Sequence, residues 1–356
     1  MKFIRLIFIL LVFFACTNAK TMTIHRSSAG TDLIQPFQKP TDDTIRIAVL
    51  SSPNVIGKYA QSVYNVSLAT LMALRNEHYE IKRYDLANES AASIAQALDA
   101  VHRDNMNAIL APLTLTGAKN LVTLESTISV FIPTVHKRDL PSAPENIAFG
   151  AIDYVAQIEA LVPYMANSIA IFYDNSNVGN QLKASTEEVF LAHKSEKKKV
   201  SSYPVDLKGD NIIAHLSKPS PFNKASIILH IPVVKSAILT SHMTVRGIKE
   251  HNILSTQINI DPALLTLTQY QDRKNMILAN SLIEFPSNIY ESNALMNNDI
   301  TFDWIQYATS VGIDYLVATL DNTDREYTMR MINAQVIYPV ELLRAKEYGF
   351  EPITAR

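Results

Sequence analysis

From residue 44 onward, short apolar runs alternate with longer segments whose apolar residues recur at helical spacing. Residues 45–50 form the first run, and residues 58–74 follow with the spacing of an amphipathic helix. Further strands are predicted at 80–84, 108–111, 130–132, 146–150, 168–173, 200–205 and 226–231. Strand and helix alternating through short loops is typical of a parallel sheet covered on both faces, so the chain is predicted to be an α/β protein.

The helical segments separate into two sets. In residues 91–103, Ile94, Leu98 and Val101 share one face, which predicts a helix packed on a sheet. Other helices are expected at 116–123, 154–165, 180–193, 234–246 and 302–321, extended segments at 252–259 and 280–285, and a late hairpin at 328–337. The repeat of the pattern after residue 150, in a chain long enough for two cores, predicts two lobes.

The first residues are typical of an export signal. Lys2 and Arg5 precede a short apolar stretch that ends before Cys16, the single cysteine of the sequence. The segment 12–16 resembles a bacterial lipobox with Phe13 where Leu is usual, so we expect lipidation of Cys16. The alternative is a leader cut elsewhere, for example after Ala19. By the same resemblance, the residue after the cysteine favours the outer membrane. Residues 17–43 are polar and predicted to be a flexible tether.

Composition and motifs exclude several classes of protein. The sequence has 32 basic and 34 acidic residues, so a nucleic-acid partner is not expected. No cysteine follows Cys16, which excludes disulfides and thiolate chemistry in the folded part. The sequence contains neither a glycine-rich phosphate loop nor the common metalloprotease or hydrolase motifs. A non-enzyme without a cofactor or a metal is therefore predicted.

The order of several short segments resembles type I periplasmic binding proteins. These segments are 45–50, 111–116, 132–135, 147–150, 169–173 followed by 178–179, and 312–316. The resemblance implies a two-lobed fold in which each lobe is a mainly parallel sheet flanked by helices. It also implies that the chain crosses between lobes, with 44–147 plus 282–318 in the first lobe and 148–281 plus 319–356 in the second. Because leader, tether and domain occur together, the chain is most similar to outer-membrane lipoproteins that activate penicillin-binding proteins.

Ligands of open α/β sheets lie beyond the carboxyl ends of the strands. Applied to the predicted strands, this rule selects a set of polar residues from both lobes. They are Ser51, Ser52, Asn54, Thr114, Thr116, Thr134, His136, Asp153, Tyr154, Tyr173 and Asn175.

Structural roles compete with ligand binding at most of these positions. Thr114 and Thr116 precede a helix whose N–H groups could receive a carboxylate, but Thr116 could equally be the N-cap of that helix. The turn after Tyr173 could hold an ammonium group or could simply be a turn. His136 could be structural rather than part of a pocket, and Trp304 could be a core residue.

Two functions from different classes follow. Glycine accounts for 9 of 356 residues, a smaller fraction than the roughly 7% that is usual in proteins. This low glycine content favours a protein-binding scaffold over a small-ligand cleft. The leading hypothesis is therefore an anchored lipoprotein that regulates or scaffolds a periplasmic machine, such as peptidoglycan synthesis, through a peptidoglycan synthase or another envelope protein. The rival is a periplasmic receptor for an amino acid or similar small polar ligand, feeding an ABC transporter or a sensor. A purely structural subunit of a surface complex is a third possibility.

Overall fold

The computed structural model describes residues 44–74, 78–193, 198–206 and 208–353. Cys16 and the expected leader and tether therefore lie outside the described residues. The strands, in chain order, are β1 (Ile45–Ser51), β2 (Tyr79–Asp85), β3 (Ala108–Leu110), β4 (Ser129–Ile132), β5 (Ile147–Phe149), β6 (Ser168–Asp174), β7 (Lys199–Val205), β8 (Ser226–His230), β9 (Asn252–Ser255), β10 (Met276–Asn280), β11 (Met331–Ile332), β12 (Gln335–Val336), β13 (Glu341–Ala345) and β14 (Phe350–Pro352).

The helices are placed between these strands. They are α1 (Pro53–Ile56), α2 (Tyr59–Ala73), α3 (Ala91–Arg103), α4 (Leu115–Val122), α5 (Tyr154–Leu161), α6 (Asn177–His193), α7 (Ile212–His215), α8 (Val233–Val245), α9 (Pro262–Leu267), α10 (Tyr270–Arg273), α11 (Ser287–Leu295) and α12 (Trp304–Asp321). Within the described residues, no helix is both long enough and apolar enough to span a bilayer.

The strands form two seven-stranded sheets. The first has the order β11-β12-β5-β4-β3-β1-β2, and the second has the order β14-β13-β10-β9-β8-β6-β7. Pairing is parallel throughout both centres and antiparallel only where β11, β13 and β14 join. The two-lobed α/β architecture predicted from the alternating pattern is thus confirmed.

Each sheet is covered on both faces, which explains why its central strands are almost wholly apolar. In the first lobe, α2, α11 and α12 cover one face, and α3 and α4 cover the other. In the second lobe, α5 and α6 cover one face, and α7, α8 and α9 cover the other. Trp304 packs against the first of these cores, which is the structural role considered for it.

Three connections cross between the sheets: 150–153 after β5, 281–286 after β10, and 337–340 before β13. Polar side chains bond to them. The Tyr338 hydroxyl donates to the Gly150 carbonyl (2.7 Å), and the Gln335 amide donates to the Ala151 carbonyl (3.2 Å). The Gln157 amide donates to the Ser281 hydroxyl (2.7 Å). The Tyr338 bond thus joins the third crossing to the first, and the Gln157 bond joins the second crossing to α5.

The assignment of all residues from 319 onward to the second lobe is wrong in part. β11 and β12 lie in the first sheet, where Gln335 of β12 pairs with Phe149 of β5. β13 and β14 do lie in the second sheet. The chain therefore returns to the first sheet before its last crossing, a path that the hydrophobic pattern could not reveal because both sheets use similar short strands. The other lobe boundaries stay a prediction.

Candidate functional site

Ser51 and Ser52 lie at the carboxyl end of β1, an interior strand of the first sheet that pairs with β2 and β3. Both residues are fully buried, and neither hydroxyl has a hydrogen-bond partner among the described residues. A buried hydroxyl without a partner costs about 1–3 kcal/mol, so such groups call for a bound molecule or a water as explanation. Asn54 is exposed instead, and its amide donates to the Ala87 carbonyl (3.2 Å).

Thr114 rather than Thr116 is the N-cap of α4. Its hydroxyl oxygen accepts from the Gly117 N–H (3.3 Å), whereas Thr116 is an exposed residue inside the first helical turn. The N-cap expected at Thr116 is therefore displaced by two residues, because the helix begins at Leu115. Thr134 lies beside this turn, where its hydroxyl donates to the Leu113 carbonyl.

A buried carboxylate that the sequence did not single out sits at the start of α4. Glu89, 6% exposed, accepts from the Thr114 N–H at 3.1 Å (Oε1) and 3.2 Å (Oε2), and the Thr114 hydroxyl donates to the same carboxylate. The side-chain amide of Asn120 donates to the Glu89 backbone carbonyl (2.7 Å). No local pattern marks Glu89, because it lies 25 residues before its partner in the chain.

His136 and Asp153 are brought together with Arg138, which was not predicted. The Arg138 guanidinium forms an ion pair with the Asp153 carboxylate, and the His136 Nε2 lies 3.7 Å from the same carboxylate. Burial, and then the nearby Arg138 charge, lowers the pKa of His136. Asp153 is also the N-cap of α5, where it accepts from two backbone N–H groups at 2.9 and 3.0 Å. This cluster therefore links the turn after β4 to the first helix of the second lobe.

Tyr154 is a packing residue between the two lobes. Its ring contacts one core of the first lobe and one core of the second. Burial raises the pKa of its hydroxyl above the ordinary value. The aromatic ring thus contributes to the joint between the lobes, while its role as a ligand contact stays a prediction.

Tyr173 and Asn175 flank a turn at the end of β6. Asp174 accepts from the Ser176 N–H (3.0 Å) and from the Ser176 hydroxyl, which builds the turn before α6. Asn175 is exposed, and the ammonium group of Lys183 lies 5.7 Å from the centre of the Tyr173 ring. This geometry supports the structural alternative for Asp174.

The second lobe also carries buried polar groups at its strand ends, and the sequence analysis missed two of them, Thr256 and Gln257. Thr256 and Gln257 follow β9, and the Thr256 hydroxyl and the Gln257 Nε2 have no partner among the described residues. His230 ends β8, and its Nε2 lies 2.7 Å from the Thr186 hydroxyl. Burial lowers the pKa of His230 to about 3, so its ring is neutral. Polar residues directly after an apolar strand were the signal that could have identified Thr256 and Gln257.

A cavity of about 510 Å³ lies elsewhere, beside the second crossing. It is lined mainly by apolar side chains and contains none of the residues predicted to bind ligand. Its lining includes Ile260, Leu282, Phe285, Phe302 and Phe350. The described ranges contain no cluster of three or more His, Cys, Asp or Glu side chains suited to a metal ion.

No protein-family model and no curated protein matches the chain. Solved structures do match it, at low identity. The branched-chain amino acid transporter substrate-binding protein LivJ of Streptococcus pneumoniae, in complex with isoleucine, has a TM-score of 0.62 at 11% identity, over 87% of this chain and 99% of that one. A branched-chain amino acid ABC transporter structure from Thermus thermophilus with bound valine has a TM-score of 0.64 at 14% identity, over 87% and 96%.

A third match has a different ligand. The solute-binding protein of an ABC transporter from Rhodopseudomonas palustris, in complex with 3,4-dihydroxybenzoic acid, has a TM-score of 0.63 at 11% identity, over 88% of this chain and 97% of that one.

These matches overturn the leading hypothesis of a scaffold for an envelope machine, because the matched structures are of substrate-binding or solute-binding proteins with small ligands. The specific likeness to lipoprotein activators of penicillin-binding proteins is not supported either. The low glycine content did not predict the class of binding partner correctly, because the polar groups at these strand ends are hydroxyls and amides of side chains. The matches and the two parallel sheets together establish that the chain has the two-lobed fold of type I periplasmic binding proteins.

Proposed function

We propose that this protein is a non-catalytic periplasmic receptor that binds an amino acid or a similar small polar molecule between its lobes and presents it to a transporter or a sensor. The observation that carries the proposal is the set of buried, unpartnered hydroxyls at the carboxyl ends of interior strands in both sheets: Ser51 and Ser52 in the first, Thr256 in the second. Ligands of α/β sheets bind at this edge.

A polar solute would satisfy these groups. Each buried hydroxyl left without a partner costs about 1–3 kcal/mol, and a ligand hydrogen-bonded to it recovers that cost on binding. A core that binds no ligand would more simply have alanine or valine at such positions, because an apolar side chain of similar size avoids the cost of an unpaired hydroxyl. The retained hydroxyls thus favour a binding role over a purely structural one.

The connections between the lobes are compatible with closure around a ligand. Hinge closure needs a few residues that absorb the change in backbone angle, and the crossings are short segments between regular elements. The ion pair of Arg138 with Asp153 and the packing of Tyr154 lie at the joint that such a motion would use. The isoleucine, valine and 3,4-dihydroxybenzoic acid of the structural neighbours supply the size range of the first candidate ligands.

A thermal-shift screen of amino acids, amino acid derivatives and small hydroxylated acids tests the proposal. A ligand at 100 times its dissociation constant should add about 2.7 kcal/mol of stability, which raises the melting temperature by roughly 5 °C in a domain of this size. Without ligand, Ser52→Ala should melt no lower than the wild type, because its hydroxyl makes no bond to lose and its removal ends the cost of an unpaired polar group, yet it should weaken the response to the ligand.

Leu267→Ser, an exposed position on α9, serves as the control with an unchanged response. No shift with any compound of the screen would refute the receptor function.

Attachment to a membrane is a separate part of the proposal. We infer that acylation of Cys16 tethers the receptor through residues 17–43, with the outer membrane as the expected site. Mass spectrometry of the protein from membrane fractions should find acyl groups on Cys16, and Cys16→Ser should release the protein into the soluble periplasmic fraction. An unmodified mature chain that starts after residue 19 would contradict the anchor and leave the receptor function untouched.

A further inference from the structure

One charged group at the candidate binding edge already forms hydrogen bonds within the protein. The Glu89 carboxylate accepts from both the N–H and the hydroxyl of Thr114, at the first turn of α4. A helix N-terminus carries a partial positive charge and attracts anions. At α4 the Glu89 carboxylate of the protein itself supplies the negative charge that this helix end attracts.

We propose that Glu89 sets the charge preference of the binding site, so that the solute places an uncharged or cationic group, and not a free carboxylate, next to α4. The inference rests on the proposed receptor function and narrows its ligand class to solutes such as amines, amides or carboxylate-free polar molecules at this end of the site.

Space as well as charge keeps a second carboxylate away. A Cβ atom at Gly117 would lie 2.5 Å from the Glu89 Oε2 and 3.1 Å from its Cβ, so the side chain fills the volume over the helical turn. A ligand carboxylate placed beside it would meet a like charge in a partly desolvated site. At an effective dielectric constant of about 20, a like charge about 5 Å away should weaken binding by more than a hundredfold.

The loop that carries Glu89 is fixed beside the unpartnered hydroxyls. The Leu86 N–H donates to the Ser51 carbonyl (2.8 Å), and the Asn54 amide donates to the Ala87 carbonyl (3.2 Å). Ser51 and Ser52 therefore share this edge of the sheet with the carboxylate. They offer neutral dipoles there, which suit an amide, an alcohol or an ammonium group.

Other charged residues of the loops at the strand ends do not compensate for Glu89. Asp153 and Asp261 are N-caps of α5 and α9, and Glu284 accepts from the Thr328 hydroxyl. Arg138, the guanidinium group after β4, is ion-paired with Asp153. The Lys137 ammonium group, also after β4, donates to the Ala143 carbonyl (2.8 Å), so neither cation of this turn forms an ion pair with Glu89.

Matched acid and amide pairs test the inference by calorimetric titration. The probes are L-isoleucine with L-isoleucinamide, L-valine with L-valinamide, and 3,4-dihydroxybenzoic acid with 3,4-dihydroxybenzamide. The wild type should bind the amide at least tenfold more tightly than the acid in any pair it binds. Glu89→Gln removes the charge and keeps a similar shape, so it should reduce that preference at least tenfold. Gly117→Ala, which displaces the carboxylate without changing charge, should also reduce it.

Glu351→Gln removes an equal charge from an exposed ion pair in the second sheet and should leave the preference unchanged. Wild-type binding of the acid as tight as that of its amide, with no change in Glu89→Gln, would overturn the inference and leave the receptor function standing. No binding of any of the six probes to any variant would overturn the inference together with the proposed ligand class.

Discussion

Replacing Gly312 in the middle of α12 with alanine should destabilise the first lobe. A Cβ atom at this position would lie 2.4 Å from Cδ1 and 2.6 Å from Cε1 of Phe131, and 3.0 Å from Cδ1 of Leu110. Phe131 is fully buried in β4, and its ring also packs against Gly150, where a Cβ would lie 2.5 Å from Cε1 and Cζ, so the ring has little room to move. The helix must therefore shift away from the sheet.

Two effects of opposite sign set the size of the change. Alanine favours a helix over glycine by about 1 kcal/mol, whereas overpacking a well-filled core costs typically 1–3 kcal/mol. Contacts shorter than 2.7 Å with a closely packed ring place the cost at the upper end, so a net loss of about 1–2 kcal/mol is expected. In a domain of this size the melting temperature should fall by roughly 2–4 °C.

Circular dichroism melts of four variants, namely Gly312→Ala, Gly349→Ala, Phe131→Leu and the Phe131→Leu/Gly312→Ala double variant, separate this mechanism from a general effect of alanine. Gly349→Ala is the matched control, because no atom lies within 4 Å of a Cβ at that position, and it should melt within about 1 °C of the wild type. In a Phe131→Leu background, the smaller side chain leaves room, so Gly312→Ala should cost at least 1 kcal/mol less than in the wild type. A Gly312→Ala protein as stable as the wild type, or costs that simply add in the double variant, would refute the steric argument.

Three further perturbations test other contacts. Arg273, 3% exposed, donates to the backbone carbonyls of Thr268, Lys346 and Glu347, so Arg273→Lys should cost about 2–3 kcal/mol in urea denaturation, and an unchanged midpoint would contradict this. Burial lowers the pKa of His230 to about 3, so the folded protein favours the neutral ring. The stability that depends on this neutral ring is complete above pH 6.5 and is lost as pH falls toward 3. Relative to His230→Gln, the wild type should lose about 2 kcal/mol between pH 7 and pH 5, and parallel pH profiles would refute this. Asp153→Asn keeps an N-cap on α5 but loses the partly exposed ion pair with Arg138. It should therefore change the free energy of unfolding by less than about 1 kcal/mol and reduce the salt dependence of the melting temperature. A larger loss would show that the pair is stronger than its exposure implies.

The candidate site was only partly accessible from sequence. The rule of strand ends identified Ser51 and Ser52, whose buried and unpartnered hydroxyls now carry the proposed function. The same rule also selected Asn54 and Asn175, which are exposed. Glu89 could not be predicted, because nothing within a few residues of it indicates that its carboxylate reaches the start of a helix 25 residues away.

Sequence by itself determined the α/β class, the two sets of units and most element positions, because these follow from local periodicity. The buried run of β1 and the face of Ile94, Leu98 and Val101 on α3 needed no partner to be recognised. Only the tertiary structure decided that β11 and β12 join the first sheet, that the Glu89 carboxylate bonds to Thr114 at the start of α4, and that Arg138 bonds to Asp153. Each of these depends on which distant segments become neighbours, and that is set by the packing of the whole chain rather than by the pattern within any one segment.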